Sequence, residues 1–412
     1  MTNLSFTTLG VAEPLLRALT AENYTQPTPI QAQAIPPILS GRDVLGIAQT
    51  GTGKTAAFGL PLLQRLSADR VPAGAQATRA LILAPTRELA IQIHDSLKIY
   101  GKHLNLRHAV ILGGVNQNRQ VDAMRRGVDI LVATPGRLLD LMNQKHVRLN
   151  AVTTLIIDEA DRMFDMGFIR DVRKIVSQLP RKRQSMLFSA TMPTEVAHLV
   201  AEILYQPVRI EISPPKMTAD GIDQRVYFVD AKDKRALLQD ILQDPAMARV
   251  IVFTRTKHGA NKVAESLAKN GHKAEAIHGN KSQNARQRAL DVFRSGRARI
   301  LVATDIAARG LDIDDITHVV NFELPDVAES YVHRIGRTAR AGAQGIAIAF
   351  CDPSERDSLK AIERLVKQPL TSMGGNPNRA PDSTSERKQG RPNDHSRGHR
   401  RQDHRAHARR VA

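Results

Sequence analysis

The sequence predicts an α/β protein of two tandem domains, each built on a parallel sheet, followed by a disordered basic tail. Three observations predict it. The chain has 412 residues, too many for one ordinary core. Short apolar runs alternate with helical patterns, and this series stops at residues 213–221 and then restarts, which is the pattern of repeated βαβ units. A glycine-rich stretch, AQTGTGKT at 48–55, stands between an apolar run and a helical pattern, the context a phosphate-binding loop requires.

In the first domain, assigned to residues 1–212, positions 1–42 read as helices and loops. The apolar run at 44–47 leads into the phosphate loop, and a helical pattern at 56–66 leaves it. Runs at 80–84, 108–112, 129–133, 154–157 and 185–188 read as strands. Their unbroken apolar character suits a parallel sheet buried on both faces. Residues 87–100 and 195–204 read as covering helices. The stretch SPPKMTADG at 213–221, with two prolines and a glycine, marks a linker drawn at 213–222. Strands resume at 225–229, 250–253, 274–277, 300–303, 318–321 and 346–350 in a second domain drawn at 223–370. No close sequence repeat joins the halves, yet their architecture is the same. Residues 371–412 lose aliphatics and carry ten Lys/Arg against four Asp/Glu, so this Arg- and His-rich tail cannot bury enough apolar surface to fold alone.

The formal net charge of +18 and a pI near 10.3 ask for a polyanionic partner, nucleic acid first. Cys351 is the only cysteine, which excludes an intrachain disulfide and fits a reducing compartment, the cytoplasm. The N-terminal residues lack a basic segment followed by an apolar one, so no secretory signal is expected. No apolar run approaches the ~18 residues of a spanning helix, and no membrane partner is expected. His395, His399, His404 and His407 of the tail have no Cys or acidic cluster beside them, so they read as solvated residues rather than metal ligands.

Within the phosphate loop, Gly51 and Gly53 let backbone N–H groups converge on phosphate oxygens, and the helix N-terminus adds partial positive charge. Gln49, Thr50 and Thr52 complete the cradle. Lys54 would reach the β- and γ-phosphates, and Thr55 would offer its hydroxyl to Mg²⁺. Ala48 stands where the usual pattern has Gly. Asp158, Glu159 and Asp161 follow directly on the run TTLII, and the C-terminal end of a strand is where an α/β sheet places ligand chemistry. There Asp158 would hold Mg²⁺, mainly through its waters, and Glu159 would orient the attacking water and accept its proton.

The Asp-Glu-Ala-Asp run at 158–161, read with PTRELA at 85–90, Gly113-Gly114, TPGR at 134–137 and SAT at 189–191, resembles the DEAD-box RNA helicases of superfamily 2. In the second half, residues 253–255, HGNKSQNAR at 278–286, ATDIAARGLDI at 303–313 and YVHRIGRTAR at 331–340 resemble the remaining motifs, in order. The resemblance spans roughly residues 4–366. DMGFIRDVRK and IHGNKSQ are most similar to the bacterial RhlE-like subgroup.

The resemblance implies two RecA-like domains that ATP and RNA together close around one ATPase site, with unwinding of short RNA duplexes. It implies that Gln31 reads adenine and that Tyr24 stacks on it, with Phe6 behind the loop. Asn23 stands where the family usually has Gly. It further implies that Asp312 bonds the ribose, that Arg337 and Arg340 act as arginine fingers, and that His333 links the domains. Ala339 stands where the family usually has Gly. Ser189 and Thr191 would couple nucleotide state to RNA through Asp161. Pro85, Thr86, Arg87, Gly113, Gly114, Thr134, Gly136 and Arg137 resemble the RNA face of the first domain. Arg255, Gln283, Arg286 and Thr304 resemble that of the second. Few of these are aromatic, so the expected partner is structured RNA or a short duplex gripped through sugar and phosphate, with weak sequence preference. Ribosomal precursors and RNA-decay proteins are the further partner classes considered.

Overall fold

A computed structural model describes residues 4–49, 51–69, 71–212, 222–308, 313, 315–339 and 344–375. Apolar runs, many of them β-branched, form the strands, as such side chains suit a pleated, buried surface. In the first domain these are β1 Val44–Ile47, β2 Thr78–Leu83, β3 His108–Ile111, β4 Val128–Ala133, β5 Thr154–Ile157, β6 Gln184–Ser189 and β7 Val208–Glu211. They make one sheet in the order β3-β4-β2-β5-β6-β1-β7, with every neighbouring pair parallel.

The second domain holds β8 Ile222–Phe228, β9 Val250–Thr254, β10 Ala274–Ile277, β11 Ile300–Thr304, β12 His318–Asn321, β13 Gly345–Cys351 and β14 Thr371–Gly374. Their order is β10-β11-β9-β12-β13-β8-β14, again all parallel. Counted from its own first strand, the second sheet repeats the strand order of the first. Parallel neighbours need crossover connections, and helices supply most of them, covering the sheets. Ile82, Val132, Ile156 and Phe188 join one apolar cluster, while Leu81, Leu131, Leu155 and Leu187 join another, as the two-residue period of a strand requires.

Register sets where loops open. Ile47 pairs with Ser189, Leu187 with Ile157, Ile157 with Leu83, Leu83 with Ala133, and Ala133 with Ile111. The first six strands therefore end nearly level, and the segments that follow them share one edge of the sheet. The expected helices at 87–100 and 195–204 form as Arg87–Tyr100 and Thr194–Ile203, and the helix after the phosphate loop runs Lys54–Ala68.

Two boundaries differ from expectation. Residues 371–374, assigned to the tail, form β14 at the sheet edge against β8. The run TSMG is fully exposed there, so it carries none of the apolar character that marks a buried strand. Ile222, assigned to the linker, opens β8. The rest of the linker and residues 376–412 lie outside the described residues.

Candidate active site

The phosphate loop leaves β1 with Gly51 at φ 86° and Gly53 at φ 92°. Gly53 caps the helix Lys54–Ala68 in a left-handed conformation that glycine adopts without strain. Thr52 Oγ1 donates to the Gln49 carbonyl at 2.7 Å, which closes the turn. Lys54 Nζ, buried, donates to the Ala48 carbonyl at 2.7 Å, and Thr55 is half-buried beside it. Thr50 lies outside the described residues.

Gln31 packs directly on this loop. Its Oε1 accepts from the Thr28 N–H at 2.9 Å, and its Nε2 donates to the Gly53 carbonyl at 3.2 Å. Both ends of the amide are thus engaged by backbone. The Thr28 hydroxyl oxygen, also against the loop, is buried without a hydrogen-bond partner. Phe6 is buried in the same core as Ile30 and Ala34. Tyr24 is part-exposed and meets Tyr100 edge-on, with ring centroids 5.9 Å apart and hydroxyls 3.2 Å apart.

Asp158 follows the end of β5 and is 2% exposed. Burial pushes its carboxyl up to about 7 against the opposing pull of Lys54. Glu159 caps the next helix with φ 52° and ψ 55°, and its N–H donates to Asp158 Oδ1 at 3.0 Å. Burial alone would raise Glu159 as well. Arg162, Lys54 and Arg337 outweigh it and hold Glu159 below the usual carboxylate range. Arg162, the strongest of these influences, donates from Nη1 to Glu159 Oε2 at 2.7 Å.

Asp161 joins two motifs. Its Oδ2 accepts from the Ala190 N–H at 3.1 Å, the Thr191 N–H at 2.8 Å and Thr191 Oγ1 at 2.9 Å. Its own N–H donates to Ser189 Oγ, which in turn donates to the Thr191 carbonyl. The segment after β5 is thereby tied to the segment after β6.

The phosphate loop follows β1, Asp158 and Glu159 follow β5, and the coupling pair Ser189 and Thr191 lies at the end of β6, three neighbours in the sheet, while Tyr24 and Gln31 precede β1. The residues expected to face RNA follow β2, β3 and β4, the adjoining three. In the second domain, Arg255 follows β9, Gln283 and Arg286 follow β10, and Thr304 ends β11. These are the equivalents of β2, β3 and β4 in the repeated order. In the first domain, strand order places the segments after β1, β5 and β6 and those after β2, β3 and β4 on separate halves of one edge.

On the RNA half of the first domain, Pro85 is buried and the Thr86 hydroxyl caps the helix Arg87–Tyr100. Arg87 lies against Gly113 and Gly114, and a Cβ on Gly114 would strike its guanidinium. Thr134 precedes the helix Pro135–Asn143, which begins with Gly136 exposed. Arg137 donates to the Val115 carbonyl at 3.3 Å. Arg255 is held between Asp326 at 3.2 Å and Glu355 at 3.1 Å, so carboxylates already surround that charge.

In the second domain, His333, Arg334 and Arg337 line a small cleft with Phe253 and Asp305. Arg337 Nε donates to the His333 carbonyl at 3.3 Å. Asp312 and Arg340 lie outside the described residues.

The DEAD/DEAH box helicase pattern matches residues 28–199, and the helicase conserved C-terminal domain matches residues 233–342. The chain belongs to the DEAD/DEAH box helicase family. Among its relatives is the DEAD-box ATP-dependent RNA helicase CshA of Bacillus cereus, 44% identical over 369 residues that cover 90% of this chain and 69% of the relative. CshA of Bacillus subtilis is 42% identical over 370 residues, covering 90% and 74%. Among solved structures, Saccharomyces cerevisiae Dbp5 bound to RNA and ADP BeF3 is similar with a TM-score of 0.78 and 33% identity, covering 90% of this chain and 95% of that one.

Two of the three departures of this DEAD-box chain from the usual glycines, Asn23 and Ala339, fall where the backbone is left-handed. Asn23 has φ 58° and Ala339 φ 54°. Asparagine tolerates that region, whereas alanine has no polar side chain to compensate.

Three positions that tie the site's segments together escape the sequence reading. Glu88, 5% exposed, accepts from Arg286 Nε at 2.8 Å and from Gln283 Nε2 at 3.1 Å, joining the two domains. Arg162 holds Glu159. Arg334, buried, grips Asp305 with Nε at 2.6 Å and Nη2 at 2.8 Å, and also bonds Asn321 and the Glu323 carbonyl. It locks the helix that carries His333 to the ends of β11 and β12. The available signal was their place inside PTRELA, beside DEAD and inside HRIGR.

Proposed function

We infer that this protein hydrolyses ATP to ADP and phosphate on binding RNA and uses the cycle to unwind short RNA duplexes or remodel RNA–protein complexes. One observation carries the reading. Glu88 of the first domain accepts from Arg286 Nε and Gln283 Nε2 of the second at 2.8 and 3.1 Å, so a residue beside the expected RNA face of one domain grips two from that of the other. RNA that bridges the domains would then control hydrolysis by controlling their approach.

Lys54 supplies positive charge to the phosphates, and the N–H groups of the loop from Gln49 to Thr55 wrap them. Glu159 orients the water and takes its proton, and Arg162 keeps that carboxylate ionised for the purpose. Arg337 and Arg340 serve as the fingers, a role worth about 10³–10⁵ in rate. Asp312 binds the ribose, and Ser189, Thr191, Asp161 and His333 transmit the nucleotide state. Gln31 and Tyr24 read the adenine, which requires the Gln31 amide to exchange its bond to Gly53 for the base edge.

Mg²⁺ accompanies the nucleotide. A carboxylate buried as Asp158 is, and pushed up to about 7, regains its charge beside a cation. Among the described residues no group of three His, Cys, Asp or Glu could hold a metal alone. The ion would therefore share Asp158, Thr55 and phosphate oxygens. When bound, it neutralises charge developing on the phosphates.

The RNA residues of both domains grip sugar and phosphate with weak sequence preference, and the Arg-rich tail adds nonspecific phosphate contacts. No helix among the described residues is long and apolar enough to cross a membrane, and a cytoplasmic place accords with the lone, buried Cys351. The RhlE-like placement rests on DMGFIRDVRK and IHGNKSQ, beside relatives that bear the name CshA. Ribosomal precursors and RNA-decay proteins are the partner classes we put forward.

The test is ATP hydrolysis with oligouridylate, with oligothymidylate and without nucleic acid, alongside strand displacement on a short RNA duplex. RNA should stimulate hydrolysis far more than DNA, and displacement should need ATP. Equal stimulation by both polymers, or displacement without ATP, contradicts the reading.

A further inference from the structure

The strand ends of the first domain carry its motifs; the opposite edge of the same sheet carries a groove of about 720 Å³, within the range of about 300–1,000 Å³ usual for ligand sites. It lies between the loop that follows the helix Pro135–Asn143 and the C-terminal end of the helix Ile169–Val176. Its place at the far edge is fixed by Arg148, whose N–H donates to the Gln76 carbonyl just before β2 begins.

Leu139, Met142 and Val147 line the groove with aliphatic surface, and Leu139 and Met142 are only half-buried. Lys145, Arg148 and Lys174 line it with charge, all three exposed. No carboxylate lines it. Among the described residues none of the three cations has an ion-pair or side-chain hydrogen-bond partner. Lys174 stands in the last turn of its helix, where a cation is at home. Lys145 has no such ease. It sits just past a helix at φ 62°, a conformation that costs an L-residue about 1–2 kcal/mol and that glycine adopts freely. A lysine in that position puts a positive charge at the mouth of the groove.

We propose that this groove docks an acidic, leucine-bearing segment of a partner protein. Aliphatic side chains of the segment cover the apolar lining, and its carboxylates meet the three unpaired cations. Complementary charge sets the register and speeds association, while apolar burial supplies affinity. RNA is the poorer occupant, because its sugars and phosphates would leave the aliphatic lining of Leu139 and Met142 uncovered. The residues expected to face RNA lie at the other edge of the sheet. The tail of this chain, with ten Lys/Arg against four Asp/Glu from residue 371, would be repelled, as would a second copy of a chain of net charge +18.

The full chain is tested with a short fluorescein-labelled peptide rich in Leu, Glu and Asp, its analogue with Lys for each acid, and labelled oligouridylate. Saturable binding of the acidic peptide, and none of the basic one, is expected. Arg148→Glu with Lys174→Glu should weaken the acidic peptide at least tenfold, with RNA-stimulated ATPase and oligouridylate affinity unchanged. Lys145→Gly separates docking from structure: it should weaken the peptide several-fold while raising the melting temperature. No saturable peptide binding, binding indifferent to the charge reversal, or a parallel loss of oligouridylate binding would overturn the proposal.

Discussion

Glu88, on the first helix after β2, accepts hydrogen bonds from both Arg286 and Gln283 of the second domain, at 2.8 and 3.1 Å. Arg87 beside it donates to Gln283 as well, at 3.4 Å. Charged hydrogen bonds with this little exposure contribute more than a surface ion pair, about 1.5–3 kcal/mol.

The first prediction concerns this contact. Glu88→Ala should raise the RNA concentration needed for half-maximal ATPase by tenfold or more, because closure loses its bond across the domains. Arg286→Ala should do the same. The double variant should cost clearly less than the sum, by roughly 1–3 kcal/mol. Strict additivity would mean that the two side chains act separately.

The second concerns backbone strain at Ala339, which has φ 54°. Ala339→Gly removes a left-handed penalty of about 1–2 kcal/mol and adds a smaller entropic cost of unfolding freedom. The variant should be more stable by about 1 kcal/mol, roughly 2–4 °C in melting temperature for a domain of this size. An unchanged or lower melting temperature would show that the conformation is not strained.

Much of this fold was legible because a parallel sheet buried on both faces writes its strands as apolar runs. Every interior strand was found, β1, β2, β4, β5 and β6 in the first domain and their counterparts in the second. The strands that escaped, β7 and β14, are sheet edges. β7 alternates in burial and β14 is exposed throughout, so neither carries an apolar run. The turn of the phosphate loop was legible, with Gly51 and Gly53 left-handed and a helix starting at Lys54, because such a loop dictates residue type at fixed spacing. Glu88, Arg162 and Arg334 were not, because each acts by meeting a partner that only tertiary structure brings near. Gln31 shows the same limit from the other side: its identity was legible, but not that backbone would engage both ends of its amide.

The third prediction concerns pH. Asp158 in the folded, nucleotide-free protein holds its proton up to about pH 7, whereas an ordinary aspartate loses it near 3.8. Between those values the folded chain binds the extra proton, so Asp158 makes stability fall as pH rises through that window. Asp158→Asn cannot titrate. Its denaturation midpoint should therefore decline less than that of the wild type between about pH 5 and 7. Saturating ATP with Mg²⁺ should likewise flatten the wild-type profile. Identical pH dependence in variant and wild type would place the proton elsewhere.

The central claim is one ATPase site in which Glu159 takes the proton of the attacking water. Single-turnover ATP hydrolysis at saturating RNA, comparing Glu159→Gln with wild type, tests it most directly. Loss of a positioned base should slow the chemical step by about 10²–10⁴. RNA retention in the presence of ATP should persist, since Lys54, Asp158 and the phosphate loop are untouched. Hydrolysis near the wild-type rate in Glu159→Gln would contradict the account.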